Sequence, residues 1–514
     1  MKYFPIAFAS IFLATAANAV DPSHVRINAS IARTAVGAAA DDAEFLRRVT
    51  LDLVGRIPTS AEVQSFLADK SETKRTAKID ALLTGADYPK RMADLFHVML
   101  MERLGDHTDW TKYLEASFAS NKPWDTMAKE MLRADAGDVA NRGASFFIAK
   151  RLENYGQNPV DYSGLTRDVG RLFLGKNFQC CECHDHLTVD AYKQQHFQGL
   201  HAFLRNAILA DSKAMLVGEK PTTDKVTFAS VFTKVEMMTA PALPGDAMVT
   251  IPQFAKGEEF ATKPDRKTND PGVPKFRTLV ALSDALPTAK NRDFSRNIVN
   301  RVWFAFIGRG LVHPLDLQHA GNPGSHPELL EQLSAEFVAK SFDLKWLIRE
   351  ILLTATYQRS SRGIPDAKPE RFAIAIERRL TADQLYAGVM TATGTKPTDA
   401  LRAKFLRTFA NSPREPEDEV TPTLKAALFL LHDKDILELL RPKPGNLTER
   451  LAKIDNPETL ANELYVAVMS RVPTSEEVAT VSDFLKPRTG ERRNNGIRQL
   501  TWALLASTEF GINH

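Results

Sequence analysis

Phe45-Leu46-Arg47-Arg48-Val49-Thr50-Leu51-Asp52-Leu53-Val54-Gly55-Arg56-Ile57-Pro58-Thr59-Ser60-Ala61-Glu62 reads as a helix, a proline corner and a second helix. Phe45, Leu46, Val49 and Leu53 recur at helical spacing. Pro58 marks the corner. Thr59-Ser60-Ala61-Glu62 fits the [S/T]-x-x-[E/Q] capping box, in which the hydroxyl accepts from the third helical N–H and the acid reaches back. Ser325-His326-Pro327-Glu328, Thr381-Ala382-Asp383-Gln384 and Thr474-Ser475-Glu476-Glu477 fit it too, and Leu330, Leu333 and Phe337 repeat the helical period. Arg471-Val472-Pro473-Thr474-Ser475-Glu476-Glu477-Val478 echoes Arg56 to Val63, and each copy is followed by a Phe-Leu pair, Phe66-Leu67 and Phe484-Leu485. Every residue in the echo has a capping or packing reason, so it reads as a recurring corner rather than a duplicated partner-binding element. The expected fold is mainly α, with helical domains over residues 20–206 and 276–514.

A small β-containing insertion and linker, residues 207–275, is expected between them. Val226, Phe228, Val231 and Phe232 suggest short strands, and Val249 to Phe254 another. Lys256 to Lys275 is rich in charge, Pro and Gly and reads as loop. The 514 residues are 44% hydrophobic and 25% charged with a formal net charge of +3, an ordinary globular balance. With no basic tail, aromatic-basic platform or zinc-finger spacing, a nucleic-acid partner is not expected. Met1-Lys2, the apolar run Ile6 to Ala16 and Ala17-Asn18-Ala19 read as a signal peptide over residues 1–19. The run is too short to span a bilayer, and no later segment is long and apolar enough. The mature chain is therefore expected to be periplasmic or secreted, without a membrane span.

All three cysteines lie in Cys180-Cys181-Glu182-Cys183-His184. This contains C-x-x-C-H, the spacing that attaches a c-type haem. Cys180 and Cys183 can add to the two vinyl groups of one porphyrin, and His184 then stands beside the iron as axial ligand. Two other readings use the same residues. One is a zinc or iron ion held by Cys180, Cys183, His186 and His201. The other is a Cys180–Cys183 redox disulfide, although no strand precedes the pair as in a thioredoxin-like motif. Cys181 reads as a small buried hydrophobe. Of twelve histidines, His184, His186, His196 and His201 fall within eighteen residues, so they are candidate metal or distal iron ligands. Met237, Met238 and Met248 are rivals for the distal place. Arg301 and Arg309 are candidates to bind a haem propionate by bidentate hydrogen bonds. His313, Asp316, His319 and His326 form a second constellation with a hydrolytic or metal-binding reading.

Taken together these motifs resemble the secreted planctomycete-type cytochrome-like proteins, built from paired domains of unknown function. The first domain's opening is similar to Phe45 to Thr59, and its centre to Cys180 to His186. The second domain's signature is similar to Asn300-Arg301-Val302-Trp303, Gly308 to Val312, Ser325 to Leu330, Asp343 to Lys345, Thr356 to Gln358, Arg378 to Ala382 and Thr508 to His514. Relatives often carry Pro and Trp after His-Asp-His, where this chain has Leu187 and, loosely, Tyr192. They often read Asp-Asp-Phe where this chain has Asp316-Leu317-Gln318. Many also carry a further haem domain in front, which this chain is read as lacking.

The resemblance implies a cytochrome-like motif without an established reaction. The expected function is a periplasmic c-type cytochrome-like protein with haem c at Cys180, Cys183 and His184. It would transfer electrons or support a redox enzyme, and would receive electrons from a periplasmic redox partner. The alternatives are a secreted metal-dependent hydrolase or carbohydrate-active protein, and a binding or structural module without turnover. N-terminal sequencing of the exported protein should start at or near Val20, and an intact Met1 on membrane-extracted protein would contradict the signal peptide.

Overall fold

The computed structural model describes residues 21–514 apart from 32–35, 136, 155, 266, 269, 365–366 and 416–423. The signal peptide over 1–19 lies outside the described residues. The fold is mainly α: among the described residues, 22 α-helices are joined by four antiparallel strand pairs of two strands each. Among the described residues no helix is long and apolar enough to cross a membrane.

The helix Asp42–Val54 organises the chain. It starts because Asp41 accepts from the Glu44 N–H at 2.8 Å. It stops at Gly55, whose φ of 83° turns the last N–H back onto the Thr50 and Leu51 carbonyls. Every residue from Glu44 to Leu53 is buried. Phe45, Leu46, Val49 and Leu53 join one hydrophobic core, whereas Leu51 joins another together with Ile57. The first core runs from Ile27 to Phe372 with Val466, drawing on both sides of residues 207–275. The second is otherwise built from Leu380 to Phe510.

A helix covered on all sides must satisfy its polar residues inside the protein. Arg47 donates to the Phe510 carbonyl at 2.8 Å. Arg48 pairs with Glu44 at 2.7 Å and donates to the carbonyls of Tyr357, Arg359 and His514. The Asp52 carboxylate, 3% exposed, accepts from Tyr357 Oη at 2.8 Å, Arg378 Nη2 at 2.8 Å and Asn513 Nδ2 at 2.9 Å.

The echo takes one conformation twice. Both capping boxes close, at Thr59 and Thr474, and so does the box at Thr381. Arg56 holds Glu62 and donates to the Ile57 carbonyl, as Arg471 holds Glu477 and donates to the Val472 carbonyl. The expected box at Ser325 does not form. The fixed ring of Pro327 suits the first helical position, so the cap moves to His326 and Ser325 bonds to Leu311 instead.

Within 207–275, Val226–Ala229 pairs with Glu236–Thr239, and Val231 and Phe232 occupy the connecting turn. Val249 to Phe254 forms no strand; its Val249 N–H bonds to the Pro241 carbonyl. Ala207–Asp211 pairs with Leu216–Glu219, and Phe260–Thr262 with Val273–Pro274.

Asp52→Ala should cost about 3–5 kcal/mol in chemical denaturation, because it strands the Arg378 charge among buried groups. Arg56→Ala, in a half-exposed ion pair, should cost under about 1 kcal/mol. Equal losses would show that Asp52 does not hold the two cores together.

Candidate functional site

The helix Tyr162–Leu174 ends at Gly175, with φ of 65°. A Cβ at Gly175 would lie 2.5 Å from Gln318 Nε2, so this corner needs glycine. The chain then makes a single 3₁₀ turn, Gln179–Glu182. In such a turn side chains three apart eclipse. Cys180 and Cys183 accordingly both reach the surface as free thiols, while Cys181 turns inward. Cys181 packs with Phe178, Val189, Tyr192 and Phe197 in a small separate core, and Leu317 lies against it. Burial pushes the Cys181 thiol up to about 12.

The turn is anchored from several directions. Glu182 accepts from Ser163 at 2.6 Å and Arg167 at 2.9 Å, and its carbonyl accepts from Gln198 at 3.1 Å. Asp185 caps the helix Gln194–Leu204 through the Gln194 N–H at 2.9 Å. His184 Nδ1 lies 2.6 Å from the Asp185 carbonyl oxygen. A carbonyl can only accept, so Nδ1 carries a proton and, in the neutral ring, Nε2 keeps its lone pair.

The other histidines have different work. His186 Nδ1 accepts from the Val189 N–H at 3.1 Å and the Thr188 N–H at 3.2 Å, fixing the loop. His196 Nδ1 accepts from the Lys193 N–H at 3.3 Å, and its ring stands edge-on to Phe178. His201 is 3.2 Å from Thr166 Oγ1 and stacks on Phe197. Burial lowers the pKa of both His196 and His201, which favours neutral rings. Among the described residues no three His, Cys, Asp or Glu side chains converge as a zinc or iron site requires.

Beside the thiols lies an apolar surface. The Val231 N–H bonds to the Cys183 carbonyl at 3.0 Å, setting the tip of the Val226–Thr239 hairpin against the turn. Phe232 contacts the His184 ring, centroids 4.7 Å apart. Phe232 is 65% exposed, and Val231, Val235, Met237, Met238 and nearby Leu187 are exposed as well. Exposed apolar side chains beside a pair of free thiols make this face a candidate binding surface. In the sequence Val231 and Phe232 were legible only as strand formers, whereas Met237 and Met238 stood as rival distal ligands.

Arg301 lies elsewhere. It pairs with Asp316 and donates to Asn297 Oδ1 at 3.0 Å and the Arg171 carbonyl at 2.8 Å. Arg309 is half-buried just past the end of the same helix, Arg292–Ile307. The second constellation is dispersed: His319 packs edge-on to Tyr192, whereas His326 contacts Phe372. Sequence reasoning missed Asp52; the signal available was charge placed on an otherwise apolar helix, at Arg47, Arg48 and Asp52.

Residues 24–208 match PSCyt2, described as a protein of unknown function (DUF1549), and residues 279–405 match PSD1, described as a protein of unknown function (DUF1553). The chain carries these two domains in that order, with the cysteine turn in the first and Arg301 and Asp316 in the second. No curated protein and no solved structure matches the chain.

In protein made without haem-attachment machinery, two thiols should react at once with a disulfide reagent and the third only after unfolding. Three equally fast thiols would contradict the inward placement of Cys181.

Proposed function

We propose that the chain is an exported c-type cytochrome-like protein in which Cys180 and Cys183 hold one haem by thioether bonds and His184 provides an axial nitrogen. The observation that carries this reading is the 3₁₀ turn: two exposed thiols three apart, followed directly by a histidine whose Nε2 is free. A metal site would need donors that converge, and among the described residues no three His, Cys, Asp or Glu side chains do so. Covalent attachment needs only the outer thiol pair, the adjacent histidine and an apolar surface for the macrocycle. Val231, Phe232, Val235 and Met238 supply that surface.

Bound haem would supply a one-electron iron couple. The chain's residues orient and tune it. Asp185 holds the His184 ring and its tautomer through the backbone carbonyl, the usual role of a ligand's hydrogen-bond partner. Glu182, tied to Ser163 and Arg167, keeps the turn on the helix behind it. Phe232 shields one flank of His184 from water. Electrons would arrive from and leave to a periplasmic redox partner.

Expressed in a host with haem-attachment machinery, the wild type and Cys181→Ala should each carry one haem by intact mass. Cys180→Ala and Cys183→Ala should each lose stable attachment. A haem-free wild type, or equal loss from Cys181→Ala, would contradict the assignment.

A further inference from the structure

A cavity of about 320 Å³ lies where the helices Tyr88–Met101 and Arg292–Ile307 meet residues 377–384. It is separate from the cysteine turn, none of whose residues lines it. Five arginines and five carboxylates line it, so its wall is formally neutral. Most of these charges are already matched. Arg171 pairs with Glu102 at 2.8 Å, Asp383 with Arg402 at 2.7 Å, and Arg378 with Asp52 at 2.8 Å.

Three polar groups on the wall have hydrogen-bonding capacity that no described residue meets. Asn513 is 3% exposed, and its Oδ1 accepts no hydrogen bond. Its Nδ2 donates to Asp52 at 2.9 Å, which fixes the amide orientation and makes the orphan an acceptor. The Asp94 carboxyl receives no hydrogen bond from the described residues. Burial, and then the Asp383 charge, raise its pKa, and its oxygens remain open to a donor from a ligand. Arg91 uses Nε on the Asp52 carbonyl at 3.2 Å, while its terminal nitrogens donate to none of the described residues. Against these groups stands an apolar wall that includes Leu95 and Phe304. A buried acceptor left without a donor is costly, so a ligand hydroxyl that meets it recovers a sizeable term.

We propose that this cavity binds a neutral polyhydroxylated ligand of monosaccharide to disaccharide size, its hydroxyls on Asp94, Arg91 and Asn513 and its C–H face on Phe304. Charge balance selects against ions, since the five arginines on the wall are matched by five carboxylates and Arg91 already lies in the field of Asp52, Asp94 and Asp383. The orphan acceptor requires a donor, and the guanidinium requires an acceptor; a hydroxyl is both. The volume is at the small end of ligand pockets, and the mix of a few polar groups with an apolar wall is typical of them. The inference does not rest on the haem reading.

The test is calorimetric titration and saturation-transfer NMR of the mature full chain with D-glucose, D-galactose, D-mannose and L-fucose. Glucuronate and glucosamine serve as charged controls. At least one neutral sugar should bind with millimolar Kd, more tightly than the charged controls. Asp94→Ala should weaken that binding about tenfold, the loss of one such hydrogen bond. Cys180→Ala should leave it unchanged. Because Asp94 bonds to no described residue, the variant should melt with the wild type; if it does not, Asp94→Asn takes its place, and it should also weaken binding because an amide offers one acceptor oxygen where the carboxylate offers two. No binding by any neutral sugar, tighter binding of a charged control, or unchanged affinity on altering Asp94 would overturn the proposal.

Discussion

The rest of the structure depends on burying a charged helix. Asp42–Val54 carries Arg47, Arg48 and Asp52 into the interior, where each needs partners that its own turn cannot provide. Those partners come from Tyr357, Arg359, Arg378 and the segment Phe510 to His514. Segments far apart in the chain thereby meet at one polar node. Removing one member of a buried network leaves the others uncompensated, which couples the two cores to one another. His514, at the edge of this node, is held neutral because burial, and then Arg47, pull its pKa down to about 4.

The cysteine turn is tied to the same frame by the stretch Asp316 to His319. Asp316 pairs with Arg171 and Arg301, and its carbonyl accepts from Asn177 at 2.8 Å. Leu317 packs on the small core around Cys181, and the Gln318 carbonyl accepts from Tyr192 at 3.1 Å. The first domain's turn is thus held against the second domain by backbone and ion pairs. That rigidity is what the proposed haem attachment asks of its two thiols.

Much of the fold was legible because its signals are local. Helical periods, three capping boxes and the repeated corner depend on residues three or four apart. The box at Ser325 failed because Pro327 starts the helix one residue later, and Val249 to Phe254 found no strand to pair with. The site was legible only in part. C-x-x-C-H gives the spacing of the thiols, whereas the 3₁₀ turn that presents two of them and buries the third shows only in the fold. The roles of His186, His196 and His201 did not follow, since their ring nitrogens take backbone or hydroxyl partners set by folding. Asp52 was hidden for a stronger reason: its partner Asn513 lies 461 residues away.

The haem assignment is tested most directly by the absorption spectrum of protein purified from a host equipped for haem attachment, recorded before and after acid-organic extraction. A Soret band that stays with the polypeptide through extraction is expected. A colourless protein, or a band that passes into the organic phase, would contradict covalent haem at Cys180 and Cys183.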